Sequence, residues 1–188
     1  NKEALSNSPL LEMYNKNGIE VLILDDEIDE VVISSVPTYK EKSLKSVNHS
    51  DAVDDIKEDK ENNTYDDLKP LVKKIKSYLG SQVKNVSISN RLTDSPACIV
   101  ADQNDPTSQM QNIMKAMGQN SDMPDIKPIL EINPKHKIIK RMKSMRKGKA
   151  LDNLSQILFD QSLLREGITL KKPSDFVGRL NQILENSL

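Results

Sequence analysis

The chain has 188 residues, with 27 Lys or Arg against 28 Asp or Glu, a formal net charge of −1 and a mean hydropathy of −0.57. That length suits one or two domains with a real core, and the charge balance excludes a globally basic nucleic-acid binder while leaving room for a local basic patch. The single cysteine, Cys98, excludes an intramolecular disulfide, and no apolar run reaches the ~20 residues of a bilayer-spanning helix.

The chain starts at Asn1 rather than Met, as a piece of a longer protein would. Residues 1–47 read as a small α/β unit. Ser8-Pro9 can open a helix through Leu10, Leu11, Met13 and Tyr14, with Gly18 ending it. Ile19–Leu24 reads as a short apolar strand. Ile28, Val31, Val32 and Val36 sit at helical spacing before Pro37, and Tyr39–Val47 reads as an edge strand with lysines facing water. The unit is small for an independent core, so it completes a domain that begins upstream. Asp25, Asp26, Glu27, Asp29 and Glu30 could hold a hard cation. They also fall where a helix should start, and acids there offset the positive end of its dipole.

Residues 48–66 form the clearest break. From 48 to 69 there are eight acids against three lysines, with sparse apolar residues. Such a stretch buries little apolar surface and reads as a polar linker. A domain over 67–188 follows. Leu68, Leu71, Val72, Ile75, Tyr78 and Leu79 make one helical stripe ending at Gly80, with Pro70 in the first turn. Lys84–Ser89, Ala97–Ala101 and Ile129–Ile132 are strand candidates. They predict a three-stranded sheet backed by that helix. Cys98, among Ala97, Ile99 and Val100, reads as a small core residue.

Between the second and third strands, Met110, Ile113, Met114 and Met117 are spaced i, i+3, i+4, i+7. Methionine is flexible and conforms to many shapes, and surfaces that bind varied partners use it. The other reading is an ordinary helix packed on the sheet. Polar, turn-rich stretches flank it at Asp102–Ser108 and Gly118–Pro124. Lys135–Lys149 then holds eight basic residues and no acid, threaded by Ile138, Ile139, Met142 and Met145. It reads as a solvated helix face, a surface for an acidic partner, or a nucleic-acid module; no aromatic supplies a stacking platform for single strands.

The chain ends in two amphipathic helices, Leu151–Leu164 and Pro173–Leu188, separated by Gly167. Leu151, Leu154, Leu158, Phe176, Leu180, Ile183 and Leu184 line the apolar side of this hairpin. A second hairpin could cover it, making a four-helix bundle, or the chain's own domain could. The expected class is therefore α+β: a small α/β subdomain, a three-stranded sheet with helices, and a C-terminal helix hairpin. No Gly-rich phosphate loop or nucleophile elbow is present, and His49 and His136 stand apart.

Several stretches together resemble the ninety-kilodalton heat-shock chaperones, in the bacterial form. Arg91-Leu-Thr-Asp-Ser-Pro-Ala-Cys-Ile-Val100 is similar to the opening of that family's C-terminal domain. Met110–Met117 is similar to its exposed amphipathic helix, and Leu130-Glu-Ile-Asn-Pro-Lys-His136 to another block. Leu158–Leu164 and Pro173–Leu184 resemble its dimerisation hairpin, and Gly18–Glu30 the end of its middle domain. The resemblance implies a homodimeric, ATP-driven cytoplasmic chaperone of the stress response. By it, Met110, Ile113, Met114 and Met117 contact partly folded client proteins. ATP and magnesium belong to an N-terminal domain outside this chain, so the resemblance implies no ATPase site, cofactor or metal in residues 1–188, and no membrane partner. The end Leu184-Glu-Asn-Ser-Leu188 lacks the acidic tail with which eukaryotic members recruit co-chaperones.

Overall fold

The structure is a computed structural model that describes residues 2–26, 28–56, 65–117 and 126–185. Glu27 of the acidic group, residues 57–64 of the polar stretch, the Gly118–Pro124 segment and Leu188 lie outside these. Helices and small sheets mix along the chain, as the α+β expectation requires.

The centre is a three-stranded sheet of β3 (Asn85–Ile88), β4 (Ala97–Val100) and β5 (Ile129–Ile132), with β5 in the middle. β5 runs parallel to β3, with Val86 opposite Leu130, and antiparallel to β4, with Ile99 opposite Leu130. The third strand in sequence thus takes the central place. Every residue of β4 and β5 is buried, so both faces are covered.

On one face, Ala97, Ile99, Leu130 and Ile132 pack in a cluster with Leu71, Ile75 and Leu79 of helix α4 (Lys69–Leu79). Ile139 and Met142 of α6 (Lys137–Ser144) and Leu151, Leu158 and Phe159 of α7 (Lys149–Arg165) complete it. These helices form where the sequence stripes place them. Pro70 sits in the first turn of α4, where its missing N–H costs nothing, and Gly80 follows the helix with φ +55°.

The other face carries Cys98, Val100 and Ile129, covered by Leu10 and Leu92. Leu10 comes from a 3-10 turn, Pro9–Leu11, entered through Ser8, whose hydroxyl accepts the Leu10 N–H at 3.3 Å. After the short helix α1 (Lys2–Ser6), that turn runs into α2 (Glu12–Lys16), where Met13 and Tyr14 pack with Val53. Residues 9–14 and 47–53 therefore cover the sheet's second face, and Ala52 and Val53, from the polar stretch, are buried.

Two local expectations for the first unit fail. Ile19–Leu24 forms no strand. Among the described residues no other strand lies beside it to share hydrogen bonds, and Leu22 is left 69% exposed. The edge strand expected over Tyr39–Val47 is a two-residue hairpin instead, β1 (Thr38–Tyr39) paired with β2 (Lys42–Ser43). Lys40 and Glu41 turn it with φ +46° and +63°, the left-handed pair that a tight hairpin turn demands. The helix expected around Ile28–Val36 is present as α3 (Asp29–Ser35).

Candidate functional site

The loop between β3 and β4 (residues 89–96) contacts three separate parts of the chain. It holds Arg91, which is fully buried. Its Nε donates to Glu131 Oε2 at 3.2 Å, and Ser89 Oγ donates to the same oxygen at 2.8 Å. Its Nη atoms donate to the backbone carbonyls of Val47 at 2.7 Å, His49 at 2.8 Å and Ser50 at 3.3 Å. One cation thus satisfies a carboxylate inside the sheet and ties the incoming chain to it. The Asn48 carbonyl and the Ser50 N–H also pair with the backbone of Ala101.

The next residues of the loop take a second carboxylate. Backbone N–H groups of Thr93, Asp94 and Ser95 all donate to Glu12, at 2.6, 2.8 and 3.0 Å. Successive amides turned inward make an anion-binding nest, and here α2 fills it. Asn133, at the end of β5, donates to the carbonyls of Thr93 and Ser95, and Arg165, at the end of α7, donates to Ser95 Oγ. The loop therefore touches the entering segment, the central strand and the last turn of α7.

Three residues of the methionine stripe lie on α5 (Ser108–Ala116), and Met117 follows its last residue. Thr107 precedes the helix and is 3% exposed. Its hydroxyl accepts the Met110 N–H at 3.1 Å and donates to Glu30 of α3 at 2.6 Å. The helix thus leans on α3 rather than on the sheet. Met110, Ile113 and Met114 are half-buried, and Met117 is 72% exposed.

The hairpin joins α7 to α8 (Pro173–Glu185). Residues 155–160 of α7 are all buried, and Leu151 and Leu158 are 1% and 2% exposed in the protomer's own core. Those two leave the candidate dimer face, since they have no surface left to offer; Leu154 is half-buried against the same core. α8 has no buried residue. Two polar links tie it to α7: Asn153 donates to Gln182 at 2.9 Å, and Arg179 lies 3.8 Å from Asp160. On a 100° helical wheel, Val177, Leu180 and Leu184 share one side of α8. They are 52%, 38% and 52% exposed, while Phe176 and Ile183 are half-buried at the flank. A shallow groove of about 310 Å³, lined largely by Leu164, Ile168, Leu170, Pro173, Phe176 and Val177, continues this apolar surface.

The acidic group behaves as a helix start. Asp29 and Glu30 occupy the first turn of α3, and Asp29 accepts the Asp26 N–H at 3.0 Å. Among the described residues no three His, Cys, Asp or Glu side chains converge as metal ligands would. Cys98 is buried in β4, and burial pushes its thiol well up, with the Glu131 carboxylate adding to the effect, so the nucleophilic thiolate is suppressed.

The family described as Hsp90 protein matches residues 1–188. The chain belongs to the Hsp90 family. It is 41% identical to the chaperone protein HtpG of Treponema denticola and 45% identical to that of Aromatoleum aromaticum, over 98% and 96% of its own length. It spans less than a third of those relatives, 29% and 28%. The Hsp90 resemblance seen in Arg91–Val100 now has a physical content: that stretch holds Arg91 and the nest for Glu12. The roles of Glu12, Glu131 and Thr107 were missed in sequence. Only Glu131 carried a signal, being a lone acid in a strand otherwise apolar, where burial demands a partner. No helix of the described residues is long and apolar enough to cross a membrane.

Proposed function

We propose that this chain is the C-terminal dimerisation and client-contact part of an Hsp90-family chaperone. The observation that carries the dimer is the exposed apolar stripe of α8. Val177, Leu180 and Leu184 stay exposed in the protomer and Phe176 and Ile183 are only half-buried, so its own domain leaves most of the apolar stripe of α8 uncovered. A second copy, related by a two-fold axis, would bring stripe to stripe and close a four-helix bundle from two hairpins. Each Leu or Val fully covered there contributes roughly 1.5–3 kcal/mol. The interface centres on Leu180, Leu184 and Val177, with Phe176 and Ile183 at its flank.

Client contact rests on α5. The exposed Met117 just past its end and its half-buried Met110, Ile113 and Met114 suit apolar patches of varied shape on partly folded chains. In the full-length protein, ATP and magnesium are bound and ATP is hydrolysed outside residues 1–188, so the present chain acts as a cytoplasmic binding module without a cofactor of its own.

Light scattering over a dilution series tests the dimer. The expected mass is twice 21.2 kDa at low micromolar concentration, falling to one protomer in Leu180→Asp/Leu184→Asp with unchanged circular dichroism. A dimer that survives both substitutions would sink the proposed interface.

A further inference from the structure

Among the described residues, six of the eight cations of the basic segment 135–149 stand outside any ion pair. Ile139 and Met142 of α6 are fully buried, and helical geometry then turns Lys137, Lys140 and Arg141 away from the core. Arg146, Lys147 and Lys149 continue the exposed surface through the following turn. None of these six is in an ion pair among the described residues, although the chain holds 28 acids.

The placement works against the helix. The first turn of α6 has no acid and begins with Lys137, whose charge opposes the positive end of the helix dipole. Lys137 and Arg141 repel at i, i+4. Local stability therefore gives no reason for this charge pattern. At the edge of the face, Lys143 already holds a carboxylate, that of Asp67.

We propose that the outer face of α6 and the turn to α7 is a docking surface for an acidic stretch of polypeptide. α6 has eight residues, about 12 Å of helix at ~1.5 Å per residue. That length matches a few successive carboxylates. Lys143 at the edge of the face already pairs with the Asp67 carboxylate, and a run of side-chain carboxylates would extend that chemistry along the face. No Phe, Tyr or Trp lies in 135–149 to stack on a nucleobase.

The test is fluorescence anisotropy with labelled poly-L-glutamate of about 20 residues and single-stranded DNA of equal length, at about 0.05 M and 0.5 M salt. The full chain should bind the polyglutamate more tightly than the DNA and lose it at high salt. Lys140→Glu/Arg141→Glu/Lys147→Glu should weaken it by about tenfold or more. The milder Lys140→Gln/Arg141→Gln/Lys147→Gln, with thermal unfolding measured alongside, should weaken it at unchanged Tm. No polyglutamate binding at low salt, or binding that the Gln variant retains, overturns the proposal. Tighter binding to DNA overturns it in favour of a nucleic-acid face.

Discussion

Arg91 and Glu131 form an ion pair inside the protein, with side chains 0% and 8% exposed. Desolvating both charges costs several kcal/mol, offset only because Ser89 and the 47–50 carbonyls complete their hydrogen bonding. Removing one partner leaves the other buried and unpaired. Arg91→Leu should therefore cost about 3–5 kcal/mol in chemical denaturation. Arg91→Leu/Glu131→Leu should cost clearly less than the sum of the two single changes. Additive losses would show that the pair does not couple.

Glu12 poses a separable case, since it is only half-buried and water can replace it. Glu12→Ala leaves the amides of Thr93, Asp94 and Ser95 without their acceptor, at a cost of about 1–2 kcal/mol. Hydrogen exchange should accelerate first at those three amides and leave β5 protected. Exchange unchanged across 93–95 would mean that the contact holds nothing in solution.

Glu166, just past the end of α7, predicts a pH dependence. Burial raises its carboxyl from 4.5 to about 7, against a smaller lowering by Arg165. In the unfolded chain the group ionises at its ordinary value, so between about 4.5 and 7 the folded state holds more proton than the unfolded. Stability from this group is thus present at the acid end of that window and falls as pH rises through about 7. Glu166→Gln should remove roughly 1–3 kcal/mol of that dependence. It should raise Tm at pH 8 and change little at pH 5. The same pH profile in both proteins would exclude Glu166 as its source.

The stripe of α5 divides by exposure. Met117→Ser should leave Tm nearly unchanged, because that side chain is 72% exposed, yet reduce suppression of aggregation of a partly folded client. Met110→Ser and Met114→Ser should lower both, by about 1 kcal/mol or more in stability for each half-buried side chain. Loss of client protection confined to the destabilised variants would mark the stripe as packing alone.

Much of the molecule was legible in the chain. Period-3.6 stripes placed α4, α5, α7 and α8, and short apolar runs placed β3, β4 and β5, because periodicity is a local property that burial imposes. Ile19–Leu24 misled because an apolar, β-prone run becomes a strand only beside another. Leu151 and Leu158 misled for a related reason: amphipathic spacing says that a face is covered, not by what.

The sequence by itself determined where the longer helices lie, where the charge lies and, through Arg91–Val100 and its companion motifs, the family. Only the tertiary structure decided that β5 is central, that Arg91 and the 93–95 amides hold the entering segment, and that α7 turns inward while most of the stripe of α8 stays uncovered. Those relations join residues dozens of positions apart. Their energies come from desolvation and hydrogen bonding between surfaces that no local pattern brings together.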